Sequence, residues 1–180
     1  MPIHETEAIV LRRYPLSESD RIIVFFTKGQ GKLRAVGHGV KKPKSRLAGC
    51  LEPLNHVRLE YYAKEGAELA QIRQCEIIHA YLGKNPSLKR IYAFTYFTEL
   101  AHEFVQENQA NVLLFRLFLA AASAGEQMGV NEALVRYFEF WSLKLNGLLP
   151  NYGHCSICGK CLKEVGFFAW IEEGEGRCQG

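Results

Sequence analysis

Residues 21–51 read RIIVFFTKGQGKLRAVGHGVKKPKSRLAGCL. Arg21 to Thr27 is rich in β-branched and aromatic residues, which favour a pleated strand. Lys28-Gly29-Gln30-Gly31 follows, and its glycines can supply the positive φ of a hairpin turn. Lys32 to Gly39 then alternates, with Leu33, Ala35 and Gly37 on one face and Lys32, Arg34 and Val36 on the other. One of Phe25 and Phe26 is expected in the core. Pro43 and Pro53 bracket an irregular segment at about 43–55, where they exclude a central strand.

Further strands flank this hairpin. Glu7 to Arg13 precedes it across the polar turn PLSESD. His56 to Ala63 alternates, Lys64-Glu65-Gly66 is a turn, and Leu69 to Ile78 is a last strand. Five short strands around an irregular segment suit a small closed barrel over residues 1–80.

From residue 84 the period changes to that of a helix. Asn85-Pro86 is the expected helix start, with Leu88, Ile91, Tyr92, Thr95, Phe97, Leu100, Ala101 and Phe104 as the apolar stripe. Asn111 to Ala124 is apolar almost all round and reads as a central helix, capped by Gly125. Asn131 to Leu145 is a third helix, with Leu134, Tyr137, Phe138, Trp141 and Leu145 as its buried stripe. The aromatics of this region read as core rather than as a cofactor box. The chain is thus α+β and multidomain: a barrel at 1–80, a helical domain at 81–150 and a Cys-rich segment at 151–180.

Charge is local. The chain carries 22 Lys and Arg against 19 Asp and Glu, yet residues 21–51 hold eight cations and no acid. They are Arg21, Lys28, Lys32, Arg34, Lys41, Lys42, Lys44 and Arg46. Lysines in a loop are commonly just solvated. Here the charges continue through both flanking strands, no acid interrupts them, and Tyr14, Phe25 and Phe26 lie close by. A basic groove that tracks phosphates and stacks bases on aromatics is how small barrels hold single strands.

The N-terminus lacks a basic region followed by an apolar core, so it is no secretory signal, and no apolar run is long enough to span a bilayer. A cytoplasmic protein is expected. In a reducing compartment the cluster HCSICGKC with a later Cys178 reads as a metal site rather than a disulfide framework. Cys155, Cys158 and Cys178 are three ligands, and the fourth is Cys161 or a residue at 181, so an ending at Gly180 reads as a shortened chain. Structural zinc is favoured over an iron–sulfur cluster, whose C-x2-C-x2-C spacing Cys155, Cys158 and Cys161 share. Cys50 and Cys75 stand alone in apolar surroundings and read as buried and inert. There is no P-loop, no G-x-S-x-G and no H-E-x-x-H, so an enzyme is not expected.

The stretch from Ala8 to Tyr62 resembles the N-terminal domain of the bacterial RecO family of DNA repair proteins. Its most specific parts are Gly37 to Leu47, followed by Leu51 to Leu54. The helical region ending at Gly147-Leu148-Leu149-Pro150 and the C-x2-C-G after it also fit, and family members are some tens of residues longer. The resemblance implies an oligonucleotide-binding (OB) barrel, a helical domain and a zinc-ribbon-like insertion. It implies a recombination mediator that binds single- and double-stranded DNA and anneals complementary strands. With RecR, such a protein helps RecA replace single-strand-binding protein (SSB), whose C-terminal tail it contacts. On that reading Lys41, Lys42, Lys44 and Arg46 contact phosphates, while Arg21, Lys32 and Arg34 extend the surface. The protein would be cytoplasmic and nucleoid-associated. The rival readings are an adaptor that docks the SSB tail with incidental DNA binding, and an RNA-binding OB factor.

Overall fold

Strand-forming sequence closes on itself in the N-terminal half. The computed structural model describes residues 3–43, 45–64, 66–149, 153–155 and 157–161, and the backbone of 168–170 and 176–178. Five strands form a closed barrel: β1 (Ile3–Pro15), β2 (Arg21–Thr27), β3 (Gly31–Gly37), β4 (Asn55–Tyr62) and β5 (Ala70–Ala80). Their order around the barrel is β1-β2-β3-β5-β4. β1 is long enough to serve two neighbours, pairing with β4 along Ile3–Ile9 and with β2 along Ala8–Pro15. A register shift between Val10 and Arg12 marks a bulge, which bends the strand between its two partners. Closure comes from a short parallel contact of β3 with β5, at Ala35–Ala70 and Val36–Gln71.

The barrel interior is apolar. Ala8, Val10, Ile23, Phe25, Ala35, Val57 and Leu59 pack there. The segment expected to be irregular holds a short helix, α1 (Arg46–Cys50). Leu51 is fully buried in the barrel cluster, and Leu47, Ala48 and Cys50 pack against it. Asn55 secures the helix end by donating from Nδ2 to the carbonyls of Gly49 at 2.8 Å and Cys50 at 3.2 Å. These are two of the carbonyls that a helix C-terminus leaves without an internal partner.

Three longer helices follow: α2 (Leu88–Phe104), α3 (Val112–Gln127) and α4 (Glu132–Leu145). α2 starts later than Asn85-Pro86 suggests, because Ser87 Oγ accepts from the Arg90 N–H at 3.3 Å and so acts as the cap. Its buried face is Ala93, Phe94, Phe97, Thr98 and Ala101. Leu88 and Tyr92, expected inside, are 70% and 72% exposed. Apolar residues occur on two adjacent faces of α2, and the face holding the small Ala93 and Ala101 is the buried one. Asn111 caps α3 by accepting from Leu114 N–H at 3.0 Å. Gly125 does not end α3. It is buried within the helix, where an added Cβ would lie 2.7 Å from Phe94, and the positive φ falls later, at Gly129. In α4 Phe138 is buried as expected, whereas Tyr137 is exposed. Phe138 stacks on Phe97 at 4.2 Å and meets Phe118 edge-on.

The barrel and α2 and α3 fall in one compact unit, Met1–Ser142, and Leu143–Gly180 form a second. In the second, β6 (Phe168–Trp170) and β7 (Gly176–Cys178) pair antiparallel. No helix among the described residues is long and apolar enough to cross a membrane.

Candidate nucleic-acid interface

The loop after β3 is tied to the turn between β1 and β2. Asp20 accepts from Gly39 N–H at 2.8 Å and Ser19 Oγ at 3.0 Å, and lies 3.2 Å from His38 Nδ1. Gly39 suits the site because its φ is +65°. The amide of Gly39, then His38 and Ser19, hold the Asp20 carboxyl at about 2. Lys41 crosses the same gap. Its N–H donates to Ser19 O at 3.0 Å and its ammonium to Ser17 O at 2.7 Å.

This tie fixes the predicted cations. Lys41, Lys42 and Arg46 are exposed on one loop and the first residue of α1, and Arg21 stands half-buried at the start of β2. Lys44 lies outside the described residues. The acid-free run is partly neutralised by acids from elsewhere in the chain, which local sequence does not reveal. Lys28 pairs with Glu7 at 3.0 Å, and its hydrogen bond holds the Glu7 carboxyl below the ordinary range. Arg34 pairs with Glu107 at 2.6 Å. Among the described residues, Arg21, Lys32, Lys41, Lys42 and Arg46 form no ion pair.

Lys32 and Arg34 stand apart from the loop, on the outer face of β3. There Tyr14 lies opposite Ile22, and Val24 opposite Arg34. A groove of about 440 Å³ runs over Tyr14, Ile22, Val24, Arg34, Leu69 and His102. A second, of about 630 Å³, is lined by His4, Lys32, Arg34 and Lys64 together with Glu68 and Glu107. Arg34 and Glu68 line both, so the grooves adjoin. Lys64 and His102 were not singled out by sequence. Lys64 sits in a recognised turn but outside the acid-free run, and His102 carries only helical spacing. Burial, then Arg12 and Lys32, pushes the His102 imidazole down.

Phe25 and Phe26 are both fully buried. Phe25 fills the barrel, and Phe26, on the opposite face, meets Phe115 of α3 edge-on at 5.2 Å. Neither can stack on a base. Tyr14, 41% exposed in the first groove, can.

In the second unit, Cys155 N–H donates to Lys160 O at 2.8 Å and Gly159 N–H to Cys155 O at 2.9 Å. Gly159 has φ +72°, and His154 bridges to Cys161. Cys155, Cys158 and Cys161 therefore share one tight turn. No group of three metal donors forms among the described residues. Cys178 lies opposite Phe168 in the two-stranded ladder, and its side chain is outside the described residues.

The fold defines an α+β class, a five-stranded barrel followed by helices, and comparison makes it specific. A family model of the recombination protein O N-terminal domain matches residues 1–81, and one of the recombination protein O C-terminal domain matches 85–180. The chain belongs to the RecO family, which is a family of DNA repair and recombination proteins and not of enzymes. It is 33% identical to the DNA repair protein RecO of Koribacter versatilis over 96% of its own length and 70% of that protein's. With RecO of Desulforamulus reducens the figures are 32%, 99% and 69%. With RecO of Syntrophus aciditrophicus they are 33%, 86% and 60%.

Proposed function

We propose that this protein is a recombination mediator that binds single- and double-stranded DNA through its barrel, anneals complementary strands, and works with RecR to help RecA displace SSB. The strand order β1-β2-β3-β5-β4 supports reading the barrel as an OB fold. The domains are then 1–80, 81–150 and 151–180, and the site of action is the cytoplasmic nucleoid. One observation carries the DNA reading: Lys41 and Lys42 on one tied loop, and Arg46 at the start of the helix after it, form no ion pair among the described residues. Lys44 joins them by sequence, and Arg21, Lys32 and Arg34 continue the surface, with Arg34 shared with Glu107. Because phosphates carry no base identity, binding is tolerant of sequence. Annealing needs no more than two strands held with their charge neutralised.

Zinc is assigned to Cys155, Cys158, Cys161 and Cys178 as a structural ion. The turn that keeps Cys155 and Cys158 near each other supports it, and thiolate ligation leaves no open catalytic position. An apolar groove of about 330 Å³ between α2 and α4, over Tyr92, Tyr96 and Val135 with Lys89 and Arg136 at its rim, favours docking of the acidic, apolar-ended SSB tail there.

One experiment tests both surfaces. Lys41→Ala with Lys42→Ala should weaken oligonucleotide binding and lower the slope of log K against log[salt] by roughly one to two. Affinity for an SSB tail peptide should not change. An unchanged slope removes this loop from the interface. Lost peptide binding would move the tail to the barrel.

A further inference from the structure

α1 ends at Cys50, and β5 carries Cys75 toward the barrel interior. Cys75 is buried in one cluster with Leu51, Leu59 and Ile72, and Cys50 packs against that same cluster from the helix. α1 packs against β5, so the two residues that sequence leaves standing alone lie on adjoining elements, and the Cys50 sulfur acts on the Cys75 thiol. Cys50 Sγ also donates to the Arg46 carbonyl at 3.7 Å, which holds the sulfur at the end of α1. No disulfide joins the two.

We propose that Cys50 and Cys75 form a peroxide-responsive thiol pair, which oxidation converts to an intramolecular disulfide fastening α1 to β5. Cys50 is partly exposed and is the sulfur that a small peroxide reaches. Burial, then the Cys50 sulfur, pushes the Cys75 thiol well up, so Cys75 is the second sulfur to react and not the first. In the first step the Cys50 sulfur attacks one oxygen of hydrogen peroxide. The O–O bond breaks, Cys50 becomes a sulfenic acid, and the departing hydroxide takes up the proton of the Cys50 thiol and leaves as water. In the second step the Cys75 sulfur displaces that hydroxyl. The S–S bond forms, and a second water leaves with the Cys75 proton. Two electrons pass from the two thiols to one hydrogen peroxide. The high thiol value of Cys75 makes the second step the slow one. In reducing compartments such bonds serve transient redox sensing. The proposal does not depend on DNA binding, although α1 directly follows the Lys41–Lys42 loop.

The test uses the whole chain. It is incubated with hydrogen peroxide, blocked with N-ethylmaleimide, digested and mapped by mass spectrometry without reduction. The expected product is the Cys50 peptide joined to the Cys75 peptide, two hydrogens lighter than the reduced pair and separated by dithiothreitol. Cys50→Ser and Cys75→Ser should each abolish it. The wild-type map decides the matter even where a variant folds poorly. Maleimide on both cysteines after peroxide, Cys50 stopped at the sulfinic acid, or Cys50 joined to a cysteine other than Cys75 would each overturn the pair.

Discussion

Asp20 is one carboxylate with three donors around it, and it joins the β1–β2 turn to the loop that carries Lys41 and Lys42. Its carboxyl is lowered from 3.8 to about 2, first by Gly39 N–H, then by His38 and Ser19. A folded value below the unfolded one means that the tie contributes fully above pH about 4 and is lost as pH falls toward 2. The expected outcome is an NMR titration in which the Gly39 amide shift moves with a midpoint near pH 2. A midpoint near 4 would show a solvated carboxylate and an untethered loop. Asp20 precedes the acid-free run by one position, so charge counting along the run passes over the acid that organises it. Period-two reasoning put Phe25 and Phe26 on opposite faces. It could not place both inside, because the cover over Phe26 is Phe115, from a distant helix.

At the scale of elements, the β2–β3 turn shows how a hairpin legible in sequence acquires a partner that is not. The glycines of Lys28-Gly29-Gln30-Gly31 predict the turn, and Gly31 has φ +71°. The segment after α2 then lies on the start of β3, where Lys32 N–H donates to Gln106 O at 2.9 Å. A Cβ on Gly31 would sit 2.3 Å from Gln106 O and 2.2 Å from Gln109 O. Gly31→Ala therefore combines a left-handed backbone penalty of roughly 1–2 kcal/mol with displacement of that segment. The expected loss is about 2–4 kcal/mol in all, read as a lower urea midpoint. An unchanged midpoint would mean that residues 106–109 give way freely. The helices themselves are legible from their period, but their faces only in part: Phe97, Ala101 and Phe138 are buried as expected, and Leu88, Tyr92 and Tyr137 are not. In α2, Tyr92, Ala93 and Phe94 are consecutive, so spacing alone fits more than one stripe. Which stripe is buried depends on packing against other elements.

For the whole molecule, the barrel was readable because each strand states its inner face locally, whereas the metal segment was readable only as a list of cysteines. The cysteines expected as its ligands come from two stretches, the turn at 155–161 and the end of β7, and spacing does not say which four sulfurs would converge. The two features also divide between the compact units. The cations of the loop and of β3 lie in Met1–Ser142, and the cysteines of the cluster in Leu143–Gly180. That division makes zinc and DNA binding separable. The protein is expected to carry about one zinc per chain, bound by thiolates. Chelation should release it and lower the melting of the C-terminal unit, since a segment this small depends on its cross-link. The salt slope of oligonucleotide binding should stay where it was, because no phosphate contact proposed here lies in that unit. Zinc content by mass spectrometry, followed by the slope before and after chelation, checks both statements. An iron absorption band in place of zinc would replace the metal assignment. A slope that falls on chelation would place cations of the C-terminal unit, such as Lys160, on the DNA.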